Sequence, residues 1–174
     1  MSLLETERLT LREFQLDDAE FVRQLLNESG FLRYIGDKGV RTLADARDYL
    51  LKGPIESYRR FGFGLYLASL REDGAPIGMC GLVKREGLAD VEVGFALRSR
   101  YWSRGYAVEA AAAVLDYGAR VLNLRRIVAI ANPENHASIA VLERIGLKFE
   151  RMVRLSSDAA ELKLFGPAPA VAPA

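Results

Sequence analysis

The chain has 174 residues, half of them hydrophobic, and its 24 Lys plus Arg stand against 23 Asp plus Glu for a formal charge of +1. That size favours one domain around one core, and the charge balance gives no broad basic surface for nucleic acid. One cysteine excludes an intrachain disulfide, and with a single histidine it excludes a Cys/His zinc cluster, so no metal is expected.

The opening segment, MSLLETERLTLREF, is charged too early for a signal peptide, and no apolar run reaches membrane-span length. A cytoplasmic protein that touches no membrane is expected. Leu9, Leu11 and Phe14 alternate with polar residues as a short half-buried strand. Asp17 and Asp18 favour a helix start, and Phe21, Val22, Leu25 and Leu26 follow at helical spacing. Stop signals come at Asn27 to Gly30. Thr42 and Asp45 resemble a capping box for a helix through Leu51. Gly53-Pro54 is expected to break that helix, with a second piece from Ile55 to Arg60.

The centre changes character. GFGLYLASL from Gly62, PIGMCGLV from Pro76 and DVEVGFAL from Asp90 to Leu97 read as three strands joined by short turns, an antiparallel meander. Cys80 sits in the apolar second strand and is expected as a buried small hydrophobe. Gly105 to about Leu122 carries a wide apolar stripe at helical spacing. RRIVAIA from Arg125 is a strand, and a helix from about Ala137 to Arg144 stops at Gly146. Lys148–Leu155 and Glu161–Phe165 close as a hairpin. Residues 1–165 are expected as one domain. GPAPAVAPA, 166–174, has no periodicity and is expected as a disordered or extended tail.

Two segments carry chemistry. RSRYWSRGYAVEAAAAVL, Arg98 to Leu115, places a small loop between a strand and a long helix. The unpaired amides of a first helical turn, its dipole, and Arg100 and Arg104 beside it would make an anion site suited to a pyrophosphate. An ordinary strand-to-helix turn with solvated arginines fits the same residues. In ANPENHASIAVLERIGLKFE, Ala131 to Glu150, Asn135 can cap the second helix and Ser138 lies on its first turn. Their amide and hydroxyl can also bind an amide-rich ligand.

Taken together, in this order and spacing, W-S-R-G-Y-A-V-E-A and N-P-E-N-H-A-S-I-A-V-L-E-R-I-G-L resemble the GNAT N-acetyltransferase superfamily. The ribosomal-protein N-acetyltransferase (RimJ/RimL-like) branch is the nearest, and ETERLTLREF resembles its first strand. The likeness runs to about Phe165. It implies an α/β (α+β) fold: a mixed, mostly antiparallel sheet of six or seven strands, helices on both faces and a splayed central strand pair. The implied pairing strands are Val91–Leu97 and Ile127–Ala131.

The resemblance implies acetyl-CoA as co-substrate. Its pyrophosphate would lie on Ser103, Arg104, Gly105, Tyr106, Ala107 and Val108, with Arg100 nearby. Trp102 stands where the family's loop has Gln or Arg, which removes one side-chain contact but no backbone contact. Pantetheine would pair with Phe95, Ala96 and Leu97, and a backbone N–H there would stabilise the developing oxyanion. Gly94 is expected to carry a bulge that opens the gap. Asn135 would fix the pantetheine, and Ser138 would hydrogen-bond the departing sulfur.

Glu92 is the candidate base, although its alternation with Val91 and Val93 also fits a salt-bridged surface carboxylate. His136, beside the helix cap, fits a solvated residue better than a base. The expected activity is direct transfer of an acetyl group to a primary amine, a protein N-terminus or a small molecule, by a monomer or homodimer. A non-catalytic acyl-CoA sensor on the same fold is the alternative. Acceptor contacts are expected from Phe31–Gly39, Tyr58–Phe63 and Arg154–Asp158. A dinucleotide-binding doubly wound fold is disfavoured by the antiparallel meander.

Overall fold

A computed structural model describes residues 1–169. Its framework is one sheet of eight strands: β1 (Leu4–Glu5), β2 (Leu9–Glu13), β3 (Leu65–Leu70), β4 (Pro76–Val83), β5 (Val91–Leu97), β6 (Ile127–Ala131), β7 (Leu147–Val153) and β8 (Leu162–Pro167). The spatial order is β1-β2-β3-β4-β5-β6-β8-β7, and every neighbouring pair is antiparallel except β5 and β6. The mixed, mostly antiparallel sheet is as expected. The count exceeds six or seven because two-residue β1, too short to show alternation, adds an edge.

Helices cover both faces. On one lie α1 (Ala19–Leu26), α2 (Ser29–Tyr34), α3 (Leu43–Leu50) and α4 (Glu56–Phe61). Val22, Leu25 and Leu26 of α1 and Ala46 and Leu50 of α3 pack with Leu67 of β3 and Met79 of β4. On the other face lies α5 (Tyr106–Arg120), whose Ala110, Ala111 and Val114 meet Tyr66, Ala68, Cys80, Leu82 and Val93. Its small residues let the helix approach the sheet closely, as the alanine-rich stripe requires. The last helix, α6 (His136–Arg144), contributes Leu142 to the same core.

The expected capping box opens α3: the Asp45 amide donates to Thr42 Oγ1 (3.0 Å), and the Thr42 amide donates to Asp45 Oδ2 (2.9 Å). The stop signals at Asn27–Gly30 end α1 at Leu26, and a separate helix, α2, begins among them at Ser29. Two expectations need correction. Gly53-Pro54 does not break the chain's helical path, because Leu51–Ile55 forms a π-helical turn that runs into α4. Such wider turns commonly accommodate a helix irregularity. Finally, β8 continues through Gly166 and Pro167, so the tail cannot start at 166, and the rest of that expectation, 170–174, lies outside the described residues.

The functional consequence of the topology sits between β5 and β6. They pair in parallel only at Val91–Ile127 and Glu92–Val128. Beyond that point β6 pairs with β8 through Ala129, Ile130 and Ala131. The two strands therefore splay. The Gly94–Leu97 stretch keeps β4 on one side and, among the described residues, has no strand on the other. No bulge at Gly94 is involved, since Gly94 pairs with Gly81 in unbroken register. The gap opens because β6 leaves β5 for a partner supplied by the C-terminal hairpin.

Candidate active site

Two cavities, of about 580 and 550 Å³, flank the splay. The first lies against the loop before α5 and the start of α6. Its walls include Leu97, Trp102, Ser103, Gly105, Tyr106, Ala107 and Val108. The second lies over the α2–α4 side of the sheet and includes Glu92, Gly94, Arg85, Lys38 and Tyr49. They share Phe95 and Ala96 of β5, Asn135 and Ser138 at α6, and Phe31, Tyr34 and Ile35 in and just after α2. The backbone without a strand neighbour and the polar start of α6 thus meet where the two cavities join.

The loop that starts α5 turns through two residues of positive φ. Gly105 has φ +82°, and Ser103 has φ +58°. Only glycine takes such a φ without strain, so the Gly105 position is set by backbone geometry. The first helical bond is Glu109 N to Gly105 O at 3.0 Å. The amides of Tyr106, Ala107 and Val108 come before it and have no intrahelical acceptor. These three residues and Gly105 line the first cavity, so the donors and the positive end of the helix dipole sit at its wall.

Contacts that local sequence signals did not reveal hold this loop. Glu109 accepts from Thr6 Oγ1 (2.6 Å), the Arg8 amide (2.7 Å) and Arg8 Nε (2.7 Å). Arg8 also donates to the Arg104 carbonyl (3.0 Å) and lies over the Tyr106 ring at 4.4 Å. The ends of α5 and β2 are thereby fastened, and the Glu109 carboxylate is held below its ordinary pKa by these donors despite partial burial. Trp102, standing where Gln or Arg is usual, donates its indole N–H to the Leu97 carbonyl (2.8 Å). Its ring covers Gly30 so closely that no side chain fits there. The residue that lost a ligand contact thus ties the loop to β5 and α2.

Arg100 and Arg104 are exposed beside the loop, each over the Tyr101 ring, at 5.0 and 6.0 Å. Neither lines the first cavity. His136 is exposed at its rim. Cys80 is buried, and burial pushes its thiol pKa up, which removes it as a nucleophile.

At α6, Asn135 Oδ1 accepts from the Ser138 amide (3.2 Å), and Asn135 Nδ2 donates to Ser138 Oγ (2.9 Å). The first bond is the expected cap. The second occupies a lone pair of Ser138 Oγ and leaves the hydroxyl proton free to be donated.

Glu92 is on the face opposite Val93, as alternation required, yet it is not a surface carboxylate, being only 2% exposed. Arg85 bonds one oxygen, Oε1, through Nε (2.7 Å) and Nη2 (2.5 Å). The other, Oε2, is buried and has no hydrogen-bond partner among the described residues. Burial raises the Glu92 pKa above the ordinary carboxylate range, against the opposing pull of Arg85 and Lys38. A half-satisfied buried carboxylate at a cavity wall has the chemistry of a proton acceptor.

The splayed parallel pair thus has the unpaired amides of a helix start on one side and a buried carboxylate on the other. Comparison with known proteins gives the family. The family model described as an acetyltransferase (GNAT) domain matches residues 8–148. The chain is 34% identical over 145 residues, 83% of it and 82% of the relative, to an uncharacterized N-acetyltransferase, YnaD, of Bacillus subtilis (strain 168). It is 28% identical over 142 residues, 80% of it and 73% of the relative, to spermidine N(1)-acetyltransferase of Escherichia coli (strain K12). The fold matches that of RimL, a ribosomal L7/L12 alpha-N-protein acetyltransferase solved with coenzyme A, with TM-score 0.81 over 95% of this chain and 97% of that one, at 19% identity. The chain belongs to the GNAT acetyltransferase family and is an N-acetyltransferase.

Proposed function

We propose that this single domain moves an acetyl group from acetyl-CoA directly to a primary amine held in the second cavity. The observation that carries the reading is the meeting of the two cavities at Phe95, Ala96, Asn135 and Ser138. A donor and an acceptor bound from opposite sides would touch only there, so no covalent enzyme intermediate is needed.

The residues fit the cofactor. The α5 loop offers backbone N–H groups around Gly105, where an added Cβ would meet only Arg8 Nη2, at 3.3 Å. Gly105 to Val108 would hold the pyrophosphate, with Ser103, Arg100 and Arg104 at its border. Phe95 to Leu97 would hold the pantetheine by strand-like pairing, with Asn135 across from them. Acetyl-CoA supplies a thioester, an acyl group already activated toward an amine.

The chain's own residues do the rest. Glu92 Oε2 takes the ammonium proton, directly or through water, so that the amine is neutral. A backbone N–H of the Phe95–Leu97 stretch faces the developing negative charge on the acyl oxygen. As the C–N bond forms and the C–S bond breaks, Ser138 Oγ, with Asn135 Nδ2 fixing its lone pair, hydrogen-bonds the leaving sulfur, and the proton shed by the attacking nitrogen ends on the released thiol.

Ser138→Ala tests this assignment. The hydrogen bond to sulfur strengthens as charge grows there, so its loss falls on the chemical step. Single-turnover acetylation is expected to slow by roughly ten- to a thousandfold, with acetyl-CoA affinity little changed. A capping role alone would lower stability by about 1 kcal/mol and leave turnover near normal. A protein that melts earlier yet acetylates at the normal rate would remove Ser138 from the chemistry.

A further inference from the structure

The acceptor cavity is charged in a way that the chain as a whole is not. Its walls carry five cations, Lys38, Lys52, Arg60, Lys84 and Arg85, against two carboxylates, Glu56 and Glu92, while the full chain is balanced to +1. The carboxylates near the mouth are already engaged. Glu56 pairs with Arg59 (2.5 Å), Asp48 with Lys52 (2.7 Å) and Asp37 with Arg41 (2.5 Å).

Several wall cations have no such partner. Among the described residues, neither Lys38 nor Arg60 has a carboxylate within ion-pair distance, and Arg60 lies over the Phe61 ring instead. Lys84 donates to the carbonyls of Leu88 (3.3 Å) and Ala89 (2.5 Å), which leave its charge whole. Lys38 also stands close enough to Arg85 for the two to repel. Burial and that repulsion lower the ammonium pKa, and Glu92 only partly offsets them. A bound anion would relieve this crowding; a bound polycation would add to it.

Resting on the acetyl-transfer reading above, we infer that the acceptor is an amine whose own body carries carboxylate groups. Its amine meets Glu92 Oε2, and its carboxylates meet the Lys38, Arg60 and Arg85 wall. A free amino-dicarboxylate and the N-terminus of an acidic peptide share this chemistry. Specificity would then run opposite to that of a polyamine acetyltransferase, despite the family relationship.

The test compares primary-amine acceptors that differ in charge: an acidic tetrapeptide beginning serine-aspartate-glutamate, a neutral serine-trialanine amide, a basic serine-dilysine peptide amide, free L-glutamate and spermidine. With acetyl-CoA fixed, kcat/KM for at least one acidic acceptor should exceed the neutral peptide by roughly tenfold or more, and the basic peptide and spermidine by a wider margin. Free glutamate against the acidic peptide separates the two sources. The advantage should shrink as salt is raised to about 0.5 M. Arg60→Glu, at an exposed position, should remove most of it. Equal or better turnover of the basic peptide or spermidine would overturn the inference and leave acetyl transfer standing, as would an acidic preference indifferent to salt. Acetyl-CoA binding without turnover of any acceptor would overturn both.

Discussion

Replacing Glu92 by Gln is expected to lower kcat by about a hundred- to ten-thousandfold, the range for loss of a positioned general base. Gln keeps the volume and can still accept from Arg85, but it cannot take a proton. The wild-type rate should rise with pH through the raised Glu92 pKa, and the Gln variant should lose that limb. Stability should move the other way. The Glu92 pKa is raised on folding, so folding takes up a proton between the ordinary carboxylate pKa and the raised one. The contribution is fully present below the unfolded value and is lost as pH rises through the folded value. Gln cannot ionise, so the variant should lose less stability than the wild type as pH rises through that folded value. A variant that is destabilised at neutral pH but turns over normally would show that Glu92 serves packing through Arg85. Melts and pH–rate profiles on the same preparation decide between the two.

Gly105→Pro should abolish most cofactor affinity while sparing the sheet. Proline is locked near φ −65°, whereas Gly105 sits at +82°, so the loop must re-form. The substitution also removes an N–H from the cavity wall. A cost of about 3 kcal/mol at the loop corresponds to roughly a hundredfold loss of affinity, measurable by calorimetry with acetyl-CoA. Gly105→Ala separates loop geometry from the lost donor. It keeps the N–H but still strains the left-handed backbone by about 1 kcal/mol, giving a loss of several-fold. Unchanged affinity in a folded Gly105→Pro protein would place the phosphate site elsewhere.

What could be read from the sequence had local causes. The meander follows from alternation and turns, the start of α5 from a glycine before an alanine-rich stripe, and the α6 cap from Asn135 three residues before Ser138. What was not legible depends on residues far apart in the chain. Gly30 falls among the stop signals that end α1, yet it lies within α2, where the Trp102 ring covers it. That hidden helix places Phe31 and Tyr34 in the wall common to both cavities. Alternation gave the face of Glu92 correctly, but not that the face is covered there and the carboxylate buried against Arg85. The Thr6–Arg8–Glu109 fastening joins residues about a hundred positions apart, and neither end carries a local sign of the other. The gap between β5 and β6 was expected from a bulge at Gly94. It comes instead from β8, whose pairing draws β6 away, a consequence of strand order that no single segment encodes.

The most direct measurement follows free thiol release from acetyl-CoA on adding the protein, with and without a primary amine, and weighs the amine product. Direct transfer at the junction of the two cavities predicts slow release without amine. Release should accelerate in proportion to enzyme when amine is present, with one thiol freed for each acetyl group gained by the amine. Tight binding of acetyl-CoA with no amine-dependent thiol release across the acceptor panel would contradict it, and would make the site one that senses the cofactor without using it.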